Sequence, residues 1–149
     1  MTRAARWAPP ALVLLLAACA GPRPPAYPGP RLADPDSETR VAAVIEAAIV
    51  GDTRGPVADT LYSPGSTVVA NGQTRLSTPR LAGVLPGGQA AVTSSELSVR
   101  EGFAWALLDY RWFSEDKSQV RLGRATLVLA PKKDGKGWWI VHAHSSSSR

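Results

Sequence analysis

Lys133-Asp134-Gly135-Lys136-Gly137-Trp138-Trp139-Ile140-Val141-His142-Ala143-His144-Ser145 is the stretch on which the fold turns. Its first part is a turn, because Asp-Gly supplies the positive-φ positions that short hairpin loops need. Its second part is rich in aromatic and β-branched residues, which suit a pleated, half-buried strand. The stretch therefore predicts a strand over Gly137–Ser145 that closes a hairpin. Ser145–Ser148 and Arg149 are expected to be its fraying end.

Working upstream, the same composition recurs between turn signals. Gln119–Ala130 is the other arm of the hairpin, Phe103–Phe113 precedes it across the polar Ser114–Ser118, and Ala91–Val99 precedes Gly102. Four consecutive strands joined by short turns read as an antiparallel meander. Before them the pattern is helical. Asp34 can cap a helix that starts on Pro35, and Asp36 and Glu38 suit the positive end of its dipole. Val41, Val44, Ile45, Ala48 and Ile49 then form one apolar stripe, with Gly51 as the stop. A second short helix is predicted over Pro56–Leu61, and a brief strand over Thr67–Ala70 ends at the Asn71-Gly72 turn. Thr78-Pro79 repeats the cap-and-proline pattern for a third helix through Leu85, ended by Pro86-Gly87-Gly88. Helices followed by a meander imply an α+β fold, with the helices packed on one face of a curved antiparallel sheet.

The closing stretch resembles the last strand of the nuclear transport factor 2-like superfamily. It is closest to the SnoaL-like branch and to the association domain of calcium/calmodulin-dependent protein kinase II. That branch ends in roughly Asp-Gly-Lys-Trp, then Ile-Val-His-x-His and a serine. The matching residues here are Asp134, Gly135, Lys136, Trp138, Ile140, Val141, His142, His144 and Ser145. Gly137, between the lysine and the tryptophan, is one residue more than that pattern. The resemblance implies a cone-shaped α+β domain over residues 35–149. It also implies a pocket between the concave sheet and the helices, and frequent dimerisation through the sheet.

His142 and His144 are the only histidines. Two apart on a strand, they are expected on one face with Trp138 and Ile140, where imidazoles can bind a metal or serve as general base. A zinc site takes three or four ligands, and no further His or Cys is available to the domain, so no metal or cofactor is expected. Hydrogen bonding within or beside the sheet is the plainer role. Phe103–Phe113 has two faces, one carrying Trp105, Leu107, Asp109 and Arg111, the other Ala104, Ala106, Leu108, Tyr110 and Trp112. The resemblance places Tyr110 towards the pocket, as a hydroxyl donor like that of ketosteroid isomerases, but no aspartate shares its face. It also places Arg124 where a relative can hold an anion. The candidates for chemistry are thus His142, His144 and Tyr110. Those for ligand binding are Tyr110, Trp112, Arg124, His142 and His144. Asp109 and Arg111 equally form a solvent-side ion pair of little energetic weight. No phosphate-cradling glycine loop, nucleophile elbow or paired-carboxylate signature is present.

The N-terminus carries a separate message. Arg3 and Arg6 precede the apolar run Ala8–Ala18, interrupted only by Pro9 and Pro10, and the run closes on Leu16-Ala17-Ala18-Cys19. A run of about 11 residues is too short to cross a bilayer, which takes roughly 20. With small residues before the single cysteine of the chain, it resembles a bacterial lipoprotein signal. Cleavage after residue 18 would leave Cys19 to be acylated, and two or more acyl chains anchor a protein stably. Ala20 in place of aspartate is similar to the outer-membrane pattern, which would face the domain towards the periplasm in a Gram-negative cell. Residues 19–34, with Pro22, Pro24, Pro25, Pro28 and Pro30, read as an extended tether that holds the domain up to about 45 Å from the lipid.

What remains is large enough for one domain with a core. The mature part carries 15 basic and 12 acidic side chains. Its basic residues are scattered, which speaks against nucleic acid. Lys132, Lys133 and Lys136 cluster at the hairpin tip, as solvated charges or as a contact for anionic lipid. The leading expectation is an envelope-anchored domain that binds a small molecule or protein partner in its cone, with no reaction demonstrated by its residues. One alternative is an isomerase- or cyclase-like enzyme using His142 or His144 as base and Tyr110 as donor. Another is a homodimeric assembly module built on Trp105 and Trp112.

Overall fold

The computed structural model describes residues 34–148. The signal segment, Cys19 and the tether up to residue 33 lie outside them. Helix α1 spans Pro35–Asp52 and starts as its residues dictate: Pro35 sits in the first turn and the Asp34 carboxylate accepts the Asp36 N–H at 3.2 Å. Val41, Ile45, Ala48 and Ile49 are buried along one face. Gly51 is not the stop but part of the last turn. A Cβ there would stand 2.8 Å from that of Ala58, so its bareness lets the 3-10 turn Pro56–Leu61 pack against the helix.

Strand β1 (Tyr62–Ala70) runs into the Asn71-Gly72 turn, both residues at positive φ, and returns as the short β2 (Gln73–Thr74). Strands β3 (Gln89–Val99), β4 (Ala104–Phe113), β5 (Val120–Pro131) and β6 (Trp138–Ser148) form the expected antiparallel meander. The sheet order is β2-β1-β6-β5-β4-β3. β1 joins β6 in parallel, so the whole sheet is mixed. The core lies between α1 and the inner face of the sheet, filled by Ala104, Ala106, Leu108, Tyr110, Leu127, Leu129, Ile140 and Ala143.

Three expectations are corrected. The third helix does not form: the segment after Thr78 is irregular, because its backbone groups are bonded to side chains of other elements rather than along a helix. Ser145–Ser148 do not fray, and Arg149 lies outside the described residues. Ser145–Ser148 pairs with Leu122–Ala125, and Ser145 is buried. The histidines do not share a face with Trp138 and Ile140. The register of β6 against β5 shifts between Val128 and Leu129, so the extra residue Val141 turns His142 and His144 to the opposite side. A bulge of this kind reverses which side chains face the core.

Candidate functional site

The inner face of β4 carries Tyr110 and Trp112 into the interior, where both are spent on structure. The Tyr110 hydroxyl donates to the Ala82 carbonyl at 2.6 Å, and Trp112 Nε1 donates to the Leu85 carbonyl at 2.9 Å. Ser145 Oγ accepts the Ala82 N–H at 2.9 Å. Burial pushes the Tyr110 and Tyr62 hydroxyls well above the usual phenol range, so both stay protonated.

Beside them lies a buried group that the sequence reading missed. Asp52, the last residue of α1, is fully buried, and its Oδ2 accepts the N–H groups of Arg80 at 2.8 Å and Leu81 at 2.7 Å. Burial pushes its pKa up to about 6, against the two N–H bonds that lower it. Its Oδ1 and the Tyr62 hydroxyl are buried without a partner among the described residues. Arg80 completes the cluster, donating to Asp59 at 2.6 Å and lying 4.5 Å from the Tyr62 ring centre. A local signal existed: an acid at the negative end of a helix conflicts with the dipole, so its placement implies another duty. Asp52 is not among the residues that line the crevice described next.

Between α1 and β3 the two layers do not close. Ala42, Ile45, Glu46, Ile49 and Val50 of the helix face Ala90, Ala91, Val92, Ser95 and Leu97 across a crevice of about 330 Å³. It is apolar in its depth, with Glu46 and Ser95 as its polar members. Register explains the lining. Ala90, Val92, Ser95 and Leu97 oppose Trp112, Tyr110, Leu108 and Ala106, so they belong to the inner face of the sheet. A bulge between Val92 and Ser94 keeps them there despite their uneven spacing. The helical wall was legible as the apolar stripe. The strand wall was not, because a bulge hides the period of two.

The other face of the sheet holds the remaining candidates. Arg124 donates to Asp109 at 2.7 and 3.1 Å, and the Ser94 hydroxyl joins them at 2.9 Å. Arg124 and Ser94 hold the Asp109 carboxyl below its usual range. Asp109 thus pairs with Arg124 across strands rather than with Arg111 along its own. His142 and His144 stand beside Val128 and Thr126 on this face. The sheet therefore separates the imidazoles from the hydroxyl of Tyr110 and from Trp112, whereas Arg124 and Tyr110 both border an open hollow of about 440 Å³ with Asp109, Arg111 and Gly123. Trp105 lies on the outer face, but Trp112, only 3% exposed, faces inward and offers nothing to a second copy. No group of three or more His, Cys, Asp or Glu that could hold a metal occurs among the described residues.

No family model matches this sequence, and no curated protein matches it. Solved structures do. An NTF2-like superfamily protein from Salmonella enterica aligns with a TM-score of 0.60 at 17% identity, over 76% of this chain and 92% of that one. A protein with a cystatin-like fold from Caulobacter vibrioides gives 0.57 at 15%, over 76% and 91%. A ketosteroid isomerase-like protein from Erwinia carotovora gives 0.57 at 11%, over 78% and 99%. At such identities the likeness is one of fold: nuclear transport factor 2-like and cystatin-like, a helix followed by a six-stranded curved sheet.

Proposed function

We propose, from a nuclear transport factor 2-like fold with a mostly apolar crevice between α1 and β3, that this chain is a SnoaL-like binding domain held at a bacterial envelope surface. It takes the apolar part of a small molecule or protein partner into that crevice. The observation that carries the reading is the lining: Ile45, Ile49, Val92 and Leu97 around an open volume of about 330 Å³. Sites of this size that bind small molecules are mostly apolar with a few placed polar groups. Catalysis is disfavoured, because the hydroxyl of Tyr110 is already committed to Ala82 and the imidazoles lie across the sheet. The fold hosts enzymes and non-enzymes alike, so the site decides.

The naphthylamine dye N-phenyl-1-naphthylamine, which fluoresces in apolar surroundings, tests the crevice. Fluorescence should rise and saturate on titration into the mature protein. Ala90→Phe, which fills the crevice from β3, should weaken binding by about tenfold or more. Equal binding by the filled variant would place the dye elsewhere and end the proposal. The anchor is supported by the run ending at Cys19 and the proline-rich tether. It requires an acylated Cys19 as the mature N-terminus, a mass that spectrometry reads directly. An intact unmodified precursor in the membrane fraction would remove it. Trp105, Leu107 and Val128 on the outer face, with Leu122 53% exposed, favour homodimerisation as a second property, and sedimentation at several concentrations would detect it or its absence.

A further inference from the structure

We infer that the occupant of the crevice is an extended peptide segment that adds to the free edge of β3, placing an apolar side chain in the crevice and a basic one against α1. The inference rests on the crevice being the binding site. Among the described residues, β3 is the last strand of the sheet and pairs only with β4. Its 11 residues, Gln-Ala-Ala-Val-Thr-Ser-Ser-Glu-Leu-Ser-Val, contain one charge and neither lysine nor proline. Those residues commonly blunt an edge; the bulge between Val92 and Ser94 protects only the middle, and beyond it the outward N–H and C=O groups of Ser94–Val99 form a template for another strand.

The side walls suit the same occupant. In a strand laid beside β3, alternate side chains point to the inner face of the sheet. There the crevice opens, with α1 as its opposite wall. An edge strand flanked by a helix gives affinity through main-chain bonds and specificity through pockets for alternate side chains. A small apolar molecule would fill the crevice but leave the edge groups to water.

Charge narrows the partner further. Leu97 joins the crevice to a second hollow of about 380 Å³, lined by Asp34, Pro35, Glu38, Ser98, Val99 and Arg100. Asp34 is paired with Arg40, and the Arg100 guanidinium donates to the Val99 carbonyl. Glu38 and Glu46 have no ion pair among the described residues. Around that second hollow the charges cancel, Asp34 and Glu38 against Arg40 and Arg100, so the uncompensated acid of the groove is Glu46 beside the apolar lining, which complements a segment with an apolar residue and a nearby lysine or arginine. A second copy of β3 fits worse. It has no basic residue, and the bulge between Val92 and Ser94 interrupts the middle of the strand on which a two-fold pairing would centre. Ser94–Val99 is left as a regular run for a short peptide.

The test uses the mature protein and a phage-displayed library of short random peptides. The most enriched sequence is made with a fluorescent label and followed by anisotropy. Enriched sequences should alternate apolar and polar residues and carry lysine or arginine. N-methylation of alternate peptide nitrogens should abolish binding in one phase of the alternation and spare it in the other. Glu46→Lys, in the middle of α1, should weaken binding by about tenfold while leaving the melting temperature in place. Ala90→Phe should weaken it as well. Indifference to N-methylation, to the charge reversal or to the filled crevice overturns the inference, as do enriched sequences that copy β3. A library without winners, from a protein that still binds the naphthylamine dye, overturns it and leaves the crevice standing. Failure of both probes removes the crevice too.

Discussion

Gly123→Ala should cost the domain roughly 3 kcal/mol or more, at the upper end of what overpacking does to a core. Gly123 faces Tyr110 directly across β4 and β5, and the tyrosine side chain occupies the space beside its bare Cα. A Cβ at this position would clash with the Cζ–Cε2 edge of the ring and with its hydroxyl. Neither partner can step aside. The glycine is fixed in a central strand, and the tyrosine is pinned by its bond to Ala82 and by 2% exposure. An aromatic side chain covering a strand glycine is a known way of closing a sheet over a missing side chain. Urea denaturation should show the midpoint of Gly123→Ala collapsing. Tyr110→Ala in the same chain should recover part of the loss, since the two substitutions share one clash and cannot be additive. A Gly123→Ala protein as stable as the parent would contradict the packing described.

Asp52 should give the second large effect, and a pH dependence opposite to that of most paired carboxylates. Its folded pKa of about 6 lies above the ordinary 3.8. The folded state therefore binds the proton more tightly, and its penalty for holding a buried charge is complete above about pH 6. That penalty is relieved as the pH falls from 6 towards 4 and changes no further below the unfolded value. The shift corresponds to about 3 kcal/mol. Stability from this group thus rises on acidification. Asp52→Asn keeps an oxygen for the Arg80 and Leu81 N–H groups without the charge, so it should match or exceed the parent at pH 7.5 and lose this pH dependence. Asp52→Ala strands both buried N–H groups, each costing about 1–3 kcal/mol. Denaturation curves at pH 7.5 and 4.5 for the three proteins check the order. Equal stability of the alanine and asparagine variants at pH 7.5 would sink the assignment.

The parts of the fold that were legible in the sequence are those with local causes. Asp34-Pro35 starts the helix by capping chemistry, Asn71-Gly72 turns because both residues accept positive φ, and β4 alternates inner and outer side chains over Ala104–Phe113 without a break. Even Gly137 falls harmlessly in the loop that the Lys132 N–H closes on its carbonyl at 2.8 Å. What was illegible depends on distant partners. Thr78–Leu85 carries a helix signature, yet Asp52, Tyr110 and Ser145 take its backbone groups. One unpaired residue, Val141, reversed the face of both histidines and so undid their grouping with Tyr110. The candidate crevice was half visible, as the helical stripe, and half concealed by the bulge in β3.

The position of β6 has a consequence for how such a chain acquires its shape. The last strand of the described residues lies between β1 and β5, not at a border. Until Trp138–Ser148 is threaded into place, the earlier strands amount to a lone ribbon and a separate three-strand sheet with no ladder between them. The two halves of the sheet therefore become one only when β6 joins them, so weakening β6 loosens both at once.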